Sequence, residues 1–257
     1  GASFEISFFI YAQTIAWGLS AIIAFVWLMK KAGEIDWDWK SESVLPLLRE
    51  TAPFAFLALL MSVYSRIDGI MIERLLGEEG AKEAGVYAAS FRLMDAVNMF
   101  AYLFASLLLP LFSKMLAQHK SITSLAGLST RLLSGTALVL IIGSIFFGEP
   151  LMHLLYEEGN NYYSRVFILL ICSFSGAALV YVFGTLLTAG HKMKVLNFIA
   201  LGGMILNIIL NFFMIPINGA LGAAAATLLT QSLVGAAHVI AAWQLFHLPF
   251  RIQYILQ

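Results

Sequence analysis

The chain has 257 residues, of which 60% are hydrophobic and 12% charged, and its formal net charge is zero. Ordinary soluble domains hold about 45–50% apolar and about 25% charged residues, so a soluble domain of this length has too little interior for so much apolar side chain. A nucleic-acid partner finds no electrostatic support in this balance, and the single cysteine, Cys172, excludes an internal disulfide and a cysteine-built metal site.

Seven apolar segments follow one another, at 6–29, 53–73, 85–112, 128–147, 163–189, 195–215 and 220–246. Each is long enough to cross a ~30 Å hydrocarbon core at 1.5 Å rise per residue. Lipid satisfies no backbone hydrogen bonds, and uniform apolarity without strict alternation selects helices over barrel strands. The fold class expected is therefore an all-α polytopic membrane bundle of about seven helices. The opening "GASFEISFF" has neither an initiator Met nor a basic leader, and the chain reads as a fragment.

The first segment ends in the longest connection, "KKAGEIDWDWKSESVLPLLRET", where Trp37 and Trp39 suit either an interfacial amphipathic stretch or a solvated linker. This connection is the best boundary between two bundles. Counting Lys and Arg in alternate loops gives orientation. One set holds Lys30, Lys31, Lys40, Arg49, Lys114, Lys120, Arg131, Lys192, Lys194 and Arg251; the other holds Arg74, Lys82 and Arg165. The richer set is expected in the cytoplasm, which places residue 1 outside.

The second and third segments each carry charge within their length. Arg66 and Asp68 lie in "SVYSRIDGIMIERLL", and Arg92 and Asp95 in "FRLMD". An unpaired charge at the bilayer centre costs about 2.5–3.5 kcal/mol on insertion scales, so each needs a partner or water. Residue counting puts Asp68, Arg66 and Arg92 at similar depth on antiparallel neighbours. Arg92 and Asp95, three apart, share a helix face, whereas Arg66 and Asp68, two apart, point to nearly opposite sides. The expected arrangement pairs Asp68 with Arg92 and leaves Arg66 to another partner or to snorkel outward, around a wet cavity.

The later segments read mainly as packing. "GALGAAAATLL" and Gly202–Gly203 give two successive helices slim faces, the signature of a tight hairpin in lipid. Asn207 and Asn211, four apart, share a face and can hydrogen-bond across it. The five histidines are scattered without metal-ligand spacing, and no nucleophile elbow or phosphate-binding glycine loop is present, so neither a cofactor nor a metal is expected. "EGNNYY" and "GHKMK" read as turns. The external loops are short, which argues against a membrane-embedded polymerase or acyltransferase.

"YSRIDGIMIERLLG" followed by "AGVYAASFRLMDAVNMFAYLFASLLLPLFSK" resembles the seventh and eighth helices of polysaccharide flippases. These belong to the superfamily that also holds lipid II flippases and multidrug and toxic compound extrusion transporters. "VFGTLLTAGHKMKVLN" and "NIILNFFMIPINGALGAAAATLLTQ" resemble their tenth to twelfth helices, with Asn207, Asn211, Pro216, Gly219, Gly222, Ala223, Ala224 and Thr227 the most specific match. The resemblance implies the last helix of an N-terminal lobe at 1–30, a cytoplasmic linker at 31–52 and a C-terminal six-helix lobe at 53–257. It implies a multi-pass protein of the cytoplasmic membrane, not an enzyme, that flips an undecaprenyl-pyrophosphate-linked oligosaccharide by alternating access between two lobes. Its implied partners are the lipid-linked oligosaccharide, membrane lipid and glycan polymerase or export machinery. "YAASFR" matches a cavity arginine of lipid-carrier flippases, which makes Arg92 the first candidate for substrate contact and Arg66 the second, with Asp68 and Asp95 tuning or pairing with them. The alternative is a cation-coupled multidrug or metabolite exporter of the same superfamily.

Overall fold

The computed structural model describes residues 6–32 and 41–248, and every regular element among them is helical. Trp37, Trp39, Lys40 and Arg251, which the sequence reading used, lie outside the described residues. By internal contacts the chain divides into two units, Gly1–Glu50 and Thr51–Gln257. The first contains α1 (Ile6–Ala32), apolar along its length and ending on Lys30 and Lys31. Helix α2 (Ser41–Leu75) runs across the division into the second unit.

The second unit holds the remaining helices. A short 3-10 turn at Gly77–Glu79 links α2 to α3 (Gly80–Ala117). Then come α4 (Thr123–Leu155) and α5 (Asn161–Leu179), whose start is capped by the Asn160 side chain accepting from the Tyr162 and Tyr163 amides. Such a cap satisfies amides that have no partner within the helix. A π-helical turn at Val180–Gly184 carries α5 into α6 (Thr185–Ala189), and α7 (Met193–Phe246) closes the described chain. Six helices are long and apolar enough to cross a membrane.

The seventh expected span is hidden in α7. Its 54 residues would reach about 80 Å if straight, far more than one crossing needs. The helix breaks at Gly219, whose φ of 58° and ψ of −136° no helical residue adopts. Beyond the break the two arms run back along each other. A Cβ on Gly222 would strike the Met214 carbonyl, and one on Gly203 would fall 2.6 Å from Val234 Cγ2. Both pairs are nearly symmetric about residue 218, which is the register of an antiparallel hairpin. Gly203 and Gly222 therefore do what small residues do in lipid and let the two arms approach closely, whereas Gly202, expected to share that face, has open space beside it.

Helix α5 is the most enclosed span and packs against α3, α4 and the second arm of α7. Gly176 on α5 and Gly235 on α7 meet so closely that a Cβ on Gly235 would lie 2.7 Å from the Gly176 carbonyl. One core cluster, with Phe112, Phe174, Val182 and Leu186, fills the half of the bundle nearer Lys114 and Lys192. The other, with Ile72, Tyr87, Met94, Leu170 and Ala223, fills the half nearer Gly219. The candidate site lies at the edge of this second cluster.

Candidate functional site

Helix periodicity sorts the four intramembrane charges. On α2 the inward face runs through Leu60, Tyr64, Asp68 and Ile72, spaced by four, so Asp68 is carried into the bundle and is only 4% exposed. Arg66, two residues away, is turned to the exposed side. On α3 the buried face runs through Tyr87, Ser90, Met94 and Ala101. Gly85, Ala88, Arg92, Asp95 and Met99 form the opposite, exposed stripe.

Asp68 is the centre of a buried polar network drawn from three stretches of chain. Its Oδ2 accepts the Tyr87 hydroxyl at 2.6 Å and the Thr227 hydroxyl at 3.0 Å. Tyr87 Oη and Thr227 Oγ1 are themselves 3.2 Å apart. The other oxygen, Oδ1, accepts the Asn211 amide, which also donates to Asn207 Oδ1 at 3.0 Å. Asn207, Asn211, Thr227 and Tyr87 are all buried. Every contact to the carboxyl is thus a neutral donor, and hydrogen bonds to such a group replace part, not all, of the hydration a charge loses on burial.

The expected Asp68–Arg92 pair does not form. Among the described residues Arg92 makes no ion pair, and its side chain is exposed while Asp68 is enclosed. The reason is angular. Residues at 100° per step place Arg92 about 140° round α3 from Tyr87, and it is Tyr87 that faces Asp68. Arg66 instead acts electrostatically on Asp95, which sets the exposed stripes of α2 and α3 beside each other. The Asn207–Asn211 contact does form, but as part of the Asp68 network and not as hairpin scaffold alone. Sequence reasoning missed Tyr87 and Thr227 as members. The spacing of Tyr87, Ser90 and Met94 on a buried face was the available signal for the first.

Beneath the network, toward the Lys192 end of the hairpin, lies a cavity of about 390 Å³. Its wall is mainly apolar, with Leu57 and Met61 among others, and includes Tyr64, Thr188, Gln231 and His238. The π-helical turn contributes Val180, Tyr181 and Gly184 to it, and such turns are frequent at functional sites. Among the described residues no three His, Cys, Asp or Glu side chains gather closely enough to hold a metal ion.

Long apolar helices that keep charged and hydrogen-bonded polar groups at membrane depth define a multi-pass membrane protein. Within it, residues 4–116 match the family model described as polysaccharide biosynthesis protein, which bears out the resemblance read from the sequence. The chain is also similar to an uncharacterized membrane protein of Methanocaldococcus jannaschii, 28% identical over 191 residues. That alignment covers 73% of this chain and 43% of the relative, so the chain spans less than half the length of the curated relative it matches. No solved structure matches.

Proposed function

We propose that this chain is part of a flippase that moves an undecaprenyl-pyrophosphate-linked oligosaccharide across the cytoplasmic membrane for polysaccharide biosynthesis. One observation carries the reading. With Asp68 buried among neutral partners, the charges left exposed at membrane depth on α2 and α3 are Arg66, Arg92 and Asp95, a net cationic set. Arginines on an exposed helix face at that depth need water or an anion, since bare lipid penalises them. A second lobe, completing a wet cavity against this face, would give a pyrophosphate–sugar head a cationic path while the polyprenyl tail stays in lipid. Arg92, without an ion-pair partner among the described residues, is the first-choice contact to the pyrophosphate, Arg66 is the second, and Asp95 tunes Arg66. The boundaries proposed for the lobes are 1–30, 31–52 and 53–257, and glycan polymerase or export machinery is the proposed partner. The activity is transport and not catalysis.

The exporter reading calls for a net acidic cavity to attract cationic substrates, and the burial of Asp68 moves the exposed set the other way. The test uses Arg92 in the complete protein. A bidentate phosphate contact depends on the planar guanidinium fork, which Lys lacks. Arg92→Lys is expected to reach normal membrane abundance yet lose most surface-glycan export, and Arg92→Ala to lose all of it. Normal export by Arg92→Lys, with Arg92→Ala missing from the membrane, would make Arg92 a scaffold residue and overturn the assignment.

A further inference from the structure

We propose that the cavity beneath the Asp68 network binds an uncharged, chain-like alcohol from the bilayer, whose hydroxyl donates to His238 while its chain lies along the apolar wall. The argument is a count of hydrogens on the polar groups of the cavity. Thr188 Oγ1 donates to the Gly184 carbonyl at 2.8 Å, Thr185 Oγ1 to the Tyr181 carbonyl at 2.6 Å and Ser106 Oγ to the Leu103 carbonyl at 2.7 Å. His238 Nδ1 lies 2.8 Å from the Val234 carbonyl, and since a carbonyl only accepts, Nδ1 carries the ring proton. All four side chains belong to the cavity wall. A hydroxyl bonded back to its own helix is ordinary. Here such groups converge on one space, each with its hydrogen already committed to backbone. In the neutral ring His238 Nε2 then offers only a lone pair, and the three hydroxyl oxygens are likewise acceptors.

That set lacks a donor, so the ligand must bring one. The wall groups that keep free hydrogens, Tyr102, Tyr181 and the Gln231 amide, lie at least one helical turn nearer Gly219 on the same helices. Charge narrows the class. No Lys, Arg, Asp or Glu lines the cavity. An anion would meet lone pairs at the His238 end, and an ammonium group would give up its water against a mainly apolar wall without a counter-charge. Asp95 does act electrostatically on Tyr181, but from the exposed stripe, where Arg66 acts on it in turn. A hydroxyl supplies the missing hydrogen and no charge. A pyrophosphate head has no place here, so the inference stands apart from the flippase reading.

Size and access agree with such a ligand. A volume of about 390 Å³ sits at the small end of ligand pockets, which run from roughly 300 to 1,000 Å³, and suits one short chain better than a branched glycan. Gly184, in the π-helical turn, makes room for the imidazole: a Cβ there would lie 3.4 Å from His238 Cδ2 and 3.5 Å from Nε2. Leu57, Leu60, Val234 and Met204 offer the chain apolar contact. Met61 on α2 and Tyr102, Ser106 and Leu109 on α3 line the cavity and are exposed, and all lie within spans. The cavity therefore opens on the side of the bundle, at membrane depth, where a molecule dissolved in the bilayer can enter.

Photolabelling of the complete purified protein with a diazirine-bearing octanol, mapped by peptide mass spectrometry, tests the site. Adducts are expected on cavity residues such as Met61, Tyr181 and Met204. Decanol should displace the label. Methyl decyl ether, the same chain without the donor hydrogen, should need about ten times the concentration, the worth of one hydrogen bond. Decylamine and decyl phosphate should do no better than the ether. His238→Phe keeps a ring but removes the acceptor, and should bring decanol down to the level of the ether. Ala200→Trp, which fills the cavity from its wall, should abolish cavity adducts while those on the outward-facing Val139 and Phe146 of α4 persist. It serves as the reading if His238→Phe folds poorly. Adducts confined to α4, cavity adducts surviving in Ala200→Trp, equal displacement by decanol and the ether, or stronger displacement by decylamine would overturn the proposal.

Discussion

Glu83 shows how much a single side chain can hold at the end of a span opposite the cavity. Its Oε2 accepts the Tyr162 hydroxyl at 2.6 Å and the Ala220 amide at 2.8 Å, so one carboxylate ties α3 to the start of α5 and to the second arm of α7. Ala220 opens that arm just after the Gly219 break, and a carboxylate at a helix N-terminus is favoured by the local dipole as well as by the hydrogen bond. Glu83→Ala is expected to cost about 1–3 kcal/mol by stranding the Ala220 amide, while the Tyr162 hydroxyl keeps the Asn218 carbonyl at 3.3 Å. Glu83→Gln, which keeps an accepting oxygen, should cost less. Thermal unfolding of the two purified variants measures the difference, and equal midpoints for both and the native protein would remove Glu83 from the account. The same scale shows what could be read in advance. Counting residues along α2 and α3 placed Asp68 and Arg92 at one depth, but depth leaves rotation open. Rotation of α3 is settled by which of its residues pack on α5 and α7, and those partners come from chain more than 70 residues away, as in the 73-residue separation between Ser90 and the Tyr163 carbonyl it bonds. Tyr87 therefore took the place that charge complementarity alone would have given to Arg92.

At the scale of the element, the α7 hairpin was legible because its cause is local. The small residues at 203 and 222 leave room for the other arm, while Gly202 faces open space and Gly219 is needed where φ is positive. Gly222→Leu is expected to force the arms apart and lower folded yield, since packing is the main force joining helices in lipid. Normal expression and thermal stability with transport lost would instead assign this face to the transport path. The register is tested separately. A Gly203→Cys, Val234→Cys pair in a Cys172→Ala background should cross-link readily on oxidation, while Gly203→Cys with Thr227→Cys should not. What the sequence did not reveal is that the hairpin is also half of a polar site. Asn207 and Asn211 pointed to each other by spacing, but their common target on α2 lies 143 residues from Asn211.

For the whole molecule, the distribution of Lys and Arg and the direction of the helices together set an orientation. Lys120 and Lys192 are expected on the cytoplasmic side, with Glu157 and the 217–220 turn outside. Single-cysteine labelling with an impermeant reagent in intact cells checks this, and reaction at position 120 would reverse it. The reversal would also turn the mouth of the cavity outward. The number of spans was visible in composition and length. The way they share charge was not, because it depends on which faces α5 occupies.

The sequence separations within the Asp68 network have a consequence for how the protein is made. Tyr87 follows Asp68 by 19 residues, but Asn211 and Thr227 follow by 143 and 159. During synthesis the acid enters the bilayer long before most of its partners exist. Until the last hairpin arrives it has one hydroxyl for company, and the helices around it cannot close without enclosing a nearly bare acid. A nascent chain stopped after Gly190 should accordingly remain an easy target for membrane proteases, and release from that surveillance should coincide with insertion of the final hairpin.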